Sequence, residues 1–218
     1  MKKITLAAIL IAALFISAVT YKAASSGDMI TLYSYKSLRG DAVFSRIVPN
    51  NNYGMLEDIH LYAWTQSSTL NVNRVALDFN TSEIPQNTKL HRAYLNLHFN
   101  TTSKYDQALG GKGNSGNSNF KIEEITSEWN EKAITWGTQP DIDATVSVVI
   151  DKKLNTRADY LKIDVTDLVQ NMIHKPADQR FGLRLKLVNE EAYNVYFFAS
   201  GNHPDESLRP SLQIELEK

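Results

Sequence analysis

Apolar and polar residues alternate with period two through most of the chain. In DIHLYAWTQ (58–66), His60, Tyr62 and Trp64 alternate with Ile59, Leu61 and Ala63. In KLHRAYLNLHF (89–99), His91, Ala93, Leu95, Leu97 and Phe99 share one face, and Arg92, Tyr94, Asn96 and His98 share the other. YLKIDV, FGLRLKLV, NVYFFAS and SLQIEL read the same way. Successive side chains of a strand point to opposite faces, so each segment is expected to be a strand with one buried side. Short strands separated by Asn, Gly, Pro and Ser clusters predict an all-β protein, an antiparallel sandwich. A single short helix is expected in VTDLVQNMIHKP, where Leu168, Val169, Met172 and Ile173 share a helical face. Thr166 is placed to cap its start, Pro176 follows its end, and it should close one end of the sandwich. Residues 110–119, GGKGNSGNSN, contain four glycines and no apolar side chain, the pattern of a mobile loop inside the domain.

The 218 residues and 43% hydrophobic content suit one core. Lys2 and Lys3 precede an apolar run from Ile4 to about Val19. That run is shorter than the roughly 20 residues of a membrane span and is followed by small residues, so it reads as a cleaved secretory leader. The expected organisation is a leader over 1–24 and one domain over 25–218, secreted or at the cell surface, with no stable membrane span after cleavage. The chain has no cysteine, which excludes a disulfide framework, a thiolate nucleophile and a cysteine metal site. Its formal net charge is −1, with basic residues scattered among acidic ones, which argues against a nucleic-acid partner.

Four stretches, in order, resemble the DNRLRE domain family of secreted and cell-surface proteins. DAVFSRIVPNNNYG (41–54) is similar to its opening strand and Pro-Asn-x-Asn-Tyr-Gly turn. RVALDFNTSEIPQNTKLHRAYLNLHF follows through Phe79, Ile84, Pro85, Ala93, Leu95 and Leu97. EITSEWNEKAITWGTQPDI matches a tryptophan signature through Trp129, Glu131, Thr135, Trp136, Gln139 and Pro140, and the last stretch carries Asp-Val-Thr, Gly-Leu and Arg-Pro-x-Leu. Asn80, Met172 and Arg180 depart from the pattern. The resemblance implies a jelly-roll sandwich related to modules that bind acidic polysaccharides or accompany polysaccharide-degrading enzymes.

Trp129 and Trp136 suit either fastening of a loop to the core or a stacking platform for sugar rings, with packing the favoured reading. Asp164, two residues before Thr166, is expected to satisfy backbone donors at the turn. Glu128 and Glu131 are expected to be solvated and not a glycosidase pair. His60, His91, His98, His174 and His203 are spread without zinc-ligand spacing. No cofactor is expected, although the oxygen-rich loops PNNNYG and GNHPDES are candidates for a structural calcium. If their strands share one sheet, Tyr62, Trp64, Arg92, Tyr94, Arg184 and Lys186 would form an open carbohydrate-binding face, with aromatic rings for sugars and cations for carboxylates. The function expected is that of an exported, non-catalytic module binding polysaccharide or another surface polymer. The alternative is a structural subunit of an extracellular fibre or adhesive matrix, self-assembling by addition of the segment SSGDMITLYSYKSL to a neighbour's sheet edge. A polysaccharide-degrading enzyme is the third reading.

Overall fold

The computed structural model describes residues 29–217. The expected leader over 1–24 lies outside the described residues. Two antiparallel sheets face each other. The first has four strands in the order β1 (Met29–Tyr33), β11 (Ser211–Leu216), β5 (Leu90–Leu97) and β8 (Tyr160–Asp164). The second runs β10 (Asn194–Ala199), β3 (Asp58–Gln66), β4 (Thr69–Leu77), β9 (Leu183–Leu187), β6 (Phe120–Ile125) and β7 (Ile142–Ile150), with β2 (Asp41–Ser45) also paired to β4. The all-β sandwich predicted from alternation is therefore the architecture found. Among the described residues, helix is confined to α1 (Lys104–Ala108), α2 (Thr166–Ile173) and short 3-10 turns.

The alternation explains the core directly. Ile59, Leu61 and Ala63 of β3, Ala93, Leu95 and Leu97 of β5, the three leucines of β9, and Leu212 and Ile214 of β11 all pack into one buried cluster. Four aromatic rings complete it: Phe120 meets Tyr160 at 5.3 Å and Tyr196 at 5.0 Å, while Tyr160 meets Phe198 at 5.7 Å, all edge-to-face. Such pairs add about 0.5–1.5 kcal/mol each beyond area burial. The Tyr196 hydroxyl keeps its polarity satisfied by donating to Ser118 O at 2.7 Å.

α2 buries Leu168, Val169, Met172 and Ile173 as the helical period predicts, and packs against β5, β6 and β7. Its cap differs from the expectation. Thr166 is the first helical residue, and Asp164 Oδ1 accepts from both its N–H (3.0 Å) and its hydroxyl (2.6 Å). The Thr166 oxygen in turn accepts from Ala93 N at 3.0 Å, so it ties the helix start to β5.

A second, smaller cluster answers the tryptophan question. Ala42, Phe44, Ala76, Ile125, Trp129 and Ile134 are buried together, with Trp136 packed at their margin. Trp129 is 5% exposed, and its indole N–H donates to Phe181 O at 2.8 Å. Trp136 lies half-buried, 6.3 Å from the Phe44 ring, with the Arg74 guanidinium 4.7 Å over it. The loop is also clasped from the other side: Asn52 donates to Glu131 O at 2.7 Å and to Ile134 O at 2.8 Å. A Cβ on Gly54 would collide with Glu131 O, so the turn of residues 49–54 needs glycine for this close approach. Two of the stretches that carried the family resemblance are thus halves of one fastening.

Candidate functional site

The outward face of β3 carries His60, Tyr62 and Trp64, and the register of its neighbours decides what surrounds them. On one side Phe197 pairs with His60 and Val195 with Tyr62. On the other, Asn73 pairs with Tyr62 and Asn71 with Trp64. Phe99, Val195 and Phe197 are buried beneath Tyr62 and Trp64, which remain half-exposed. The rings form a continuous row. Tyr105 lies 4.4 Å from His60, His60 meets Tyr62 edge-on at 6.3 Å, and Tyr62 stacks with Trp64 at 6.3 Å and 27°. Tyr193 then meets Trp64 edge-on at 5.1 Å.

Tyr193 is unusual in two respects. It is 57% exposed, and its backbone φ is +72°. A bulky L-residue in that region carries steric strain of order 1–2 kcal/mol, which the surrounding structure must hold. The strain positions an exposed ring beside Trp64.

The row is supported by the segment expected to be a mobile loop. The segment is a loop bonded to its neighbours: Gly113 N donates to Asp106 Oδ1 (2.7 Å), Asn114 Oδ1 accepts from Phe197 N (2.8 Å), and Ser115 exchanges backbone hydrogen bonds with Val195 (2.9 and 3.0 Å). Asn194 Oδ1 accepts from the N–H groups of both Asn117 and Ser118. Polar, glycine-rich sequence is used here for backbone and amide bonding along β10, a role its composition does not reveal.

Next to the row is a concavity of about 180 Å3, formed by Ser45, Ile47, Tyr53, His60, Asn73 and Tyr105 among others. His60 and Asn73 are 3% and 6% exposed, and His60 Nδ1 and Asn73 Oδ1 have no hydrogen-bond partner. Burial holds the His60 imidazole down to about 4. A larger cavity of about 530 Å3 lies beside Arg39, Asp78, Glu128 and Arg180. Both of its guanidinium groups are already engaged. Arg39 bonds Glu128 at 2.8 and 3.0 Å and Asp78 at 3.4 Å, while Arg180 donates to the carbonyls of Thr81, Ile84, Lys175 and Ile173.

The predicted set of six residues does not form one face. Tyr62 and Trp64 adjoin as read, but Arg92 and Tyr94 lie on β5 in the other sheet, where Arg92 approaches Asp164 at 3.6 Å. Arg184 and Lys186 share a sheet with Tyr62 and Trp64 but are not open cations. Glu123 takes Arg184 at 2.5 Å, and Glu190 takes Lys186 at 3.3 Å together with Arg74 at 2.7 Å. The partners come from other strands and turns, which strand periodicity cannot reveal. Glu131 also differs from the solvated expectation, being half-buried and accepting from Asp41 N at 3.2 Å. Among the described residues, no three His, Asp or Glu side chains converge on a point where a metal ion could sit. Sequence reasoning missed Tyr105, Tyr193, Asn71 and Asn73. The Asn-Val-Asn alternation inside TLNVNRVAL was the available signal for the last two, because asparagine is disfavoured in strand interiors.

The family model of carbohydrate-binding module family 96 matches residues 33–215. The chain belongs to that family. The match starts in β1 and ends in β11, so it takes in both sheets of the family 96 module as well as the aromatic row. No curated protein matches the chain.

Proposed function

We propose that this family 96 module binds polysaccharide along the row Tyr62–Trp64–Tyr193 and acts by adhesion rather than catalysis. The observation that carries the reading is the row itself: rings in mutual contact, Tyr62 and Trp64 half-buried on β3 and Tyr193 exposed in the turn before β10, with amide side chains abreast of the first two in the register of β4. Sugar rings present apolar C–H faces that stack on aromatic surfaces, and their hydroxyls need nearby polar groups. The carboxylates that sequence suggested for catalysis are bound to structural partners, Asp164 to Thr166, Glu128 to Arg39 and Glu131 to the β2 backbone. The more specific assignment to DNRLRE-type modules accords with the interlocking of the residue 49–54 turn and the tryptophan loop. Export is the cellular setting that the basic start and apolar run of the sequence support, and among the described residues no helix is long and apolar enough to cross a membrane.

Assembly into fibres by strand addition has less support. β1 pairs through five residues with β11 of its own chain and would have to leave it to serve a neighbour. Affinity electrophoresis against a panel of neutral and anionic polysaccharides tests the binding reading. Trp64→Ala should weaken retardation about tenfold, the loss of roughly 1.4 kcal/mol of stacking. Unretarded wild-type protein on every polymer, or full retardation of the variant, overturns the proposal.

A further inference from the structure

We infer that the saccharide site continues past Trp64 into the concavity that Tyr193 also lines, and that it takes a chain with axial glycosidic linkages, whose neighbouring sugar rings meet at an angle. The inference rests on the polysaccharide reading above and names the shape of polymer that the same site accepts. Two aromatic planes define it. Tyr62 and Trp64 lie within 27° of parallel, whereas Tyr193 stands at 88° to Trp64 with 5.1 Å between ring centroids. The first two form a floor and the third a wall. A sugar lays its C–H face flat on an aromatic ring, so a unit on Trp64 and the next on Tyr193 must be turned by close to a right angle.

There is room for that turned unit beside the wall. Tyr193 lines a concavity of about 300 Å3 together with Gly116, Asn117, Ser118, Asn189 and Glu191. That volume reaches the lower end of the roughly 300–1,000 Å3 of small-molecule sites, which suits a single pyranose. Its outer polar side chains are accessible. Asn117, Asn189 and Glu191 are exposed, and their hydrogen bonds run through main-chain atoms, Asn117 N, Asn189 N and Glu191 O, which leaves two amides and a carboxylate facing water. Amides donate and accept, a carboxylate accepts, and sugar hydroxyls do both.

The wall is held upright against its own conformational preference. Tyr193 has φ +72°, and Asn194 fixes the turn from both sides. Its Nδ2 donates to Glu191 O at 3.0 Å, and its Oδ1 accepts from Asn117 N at 2.8 Å and Ser118 N at 2.7 Å. Gly116, at φ +85°, permits this approach, since a Cβ there would collide with Asn194 Oδ1 and Tyr193 O. Backbone strain in a bulky residue persists only where its surroundings over-determine it, and such residues cluster at ligand clamps. Tyr193 does not cover the core either, being 57% exposed. A chain with equatorial linkages is a flat ribbon that runs along Tyr62 and Trp64 and meets the wall edge-on; an axial linkage lets the chain turn against it.

The test uses the full chain and calorimetry with two probe pairs, matched in charge and different in linkage geometry. They are maltohexaose (axial) against cellohexaose (equatorial), and oligogalacturonate (axial) against cellouronate oligomers (equatorial). At least one axial probe should bind about tenfold or more tightly than its equatorial counterpart and shift the Tyr193 ring-proton resonances. The double variant Asn117→Ala/Asn189→Ala should weaken that probe about tenfold with its urea midpoint unchanged, and Tyr193→Asn should abolish the linkage preference. A smaller preference in both pairs, no binding of either axial probe, or an unaltered preference in Tyr193→Asn overturns the inference. The two readings fail differently. The polymer reading fails if no polysaccharide retards the module or if Trp64→Ala leaves retardation intact; the present one fails in a module that Trp64→Ala does weaken but that takes both linkages alike.

Discussion

Replacing each tryptophan of the residue 124–142 loop separates fastening from ligand contact. Trp129 is nearly fully buried, so burial of roughly 200 Å2 at about 25 cal/mol per Å2 stabilises the fold by about 5 kcal/mol, to which its hydrogen bond to Phe181 O adds about 1. Truncation keeps the Cβ contacts and allows some collapse, so Trp129→Ala should cost about 3–5 kcal/mol. That is a large share of the 5–15 kcal/mol typical of a domain. Trp136 is half-exposed, and its main specific partner is the Arg74 guanidinium at 4.7 Å, so Trp136→Ala should cost about 1–2 kcal/mol. Urea unfolding followed by far-ultraviolet circular dichroism measures both without relying on the deleted fluorophore. Polysaccharide retardation of each variant, at urea-free conditions where it remains folded, supplies the second readout. A loss below about 1 kcal/mol for Trp129→Ala, or abolished retardation by Trp136→Ala at an unchanged unfolding midpoint, would refute the assignment of this loop to packing.

Three other outcomes follow from the geometry. Burial pushes the Asp41 carboxyl up to about 7, so the folded state holds a proton that the unfolded state releases near 3.8, and stability falls as pH rises between those values. Asp41→Asn should remove up to about 4 kcal/mol of that decline, and stability curves for variant and wild type that run parallel from pH 4.5 to 8 would contradict it. Tyr193→Asn keeps a residue that tolerates positive φ and removes the ring; its unfolding midpoint should stay within about 1 kcal/mol of wild type while polysaccharide retardation weakens, as affinity electrophoresis would show. Arg180→Met strands the Ile84 and Lys175 carbonyls, while Thr81 O and Ile173 O keep the backbone donors Ile84 N and Asn87 N, and should cost about 2 kcal/mol or more in urea unfolding, with a near-neutral result excluding the role assigned to that guanidinium.

Much of the sandwich could be read from alternation, because burial of one strand face imposes a period of two. DIHLYAWTQ and SLQIEL coincide with β3 and β11 residue for residue, and the four buried positions of α2 are those its helical period marks. The site was legible only along a single strand. Periodicity placed Tyr62 beside Trp64, but which strand lies next to which is set by pairing between distant segments. That is why Arg92 and Tyr94 were grouped with them although they belong to the other sheet. Charge signs were equally incomplete evidence: Arg184 looks available until β6 brings Glu123 opposite it. Tyr193 escaped notice because its value lies in an uncommon backbone conformation, which residue type does not encode.

β1 lies against β11, and β11 also separates it from β5, so the earliest described strand depends on the last described one. Until residues 211–216 leave the ribosome, the four-stranded layer has a gap at its middle and the hydrophobic sides of its neighbours stay wet. Closure over so long a contour is slow and cooperative. A chain cut before residue 211 would therefore leave β1 and β5 without the strand that joins them, whatever the second sheet has already formed.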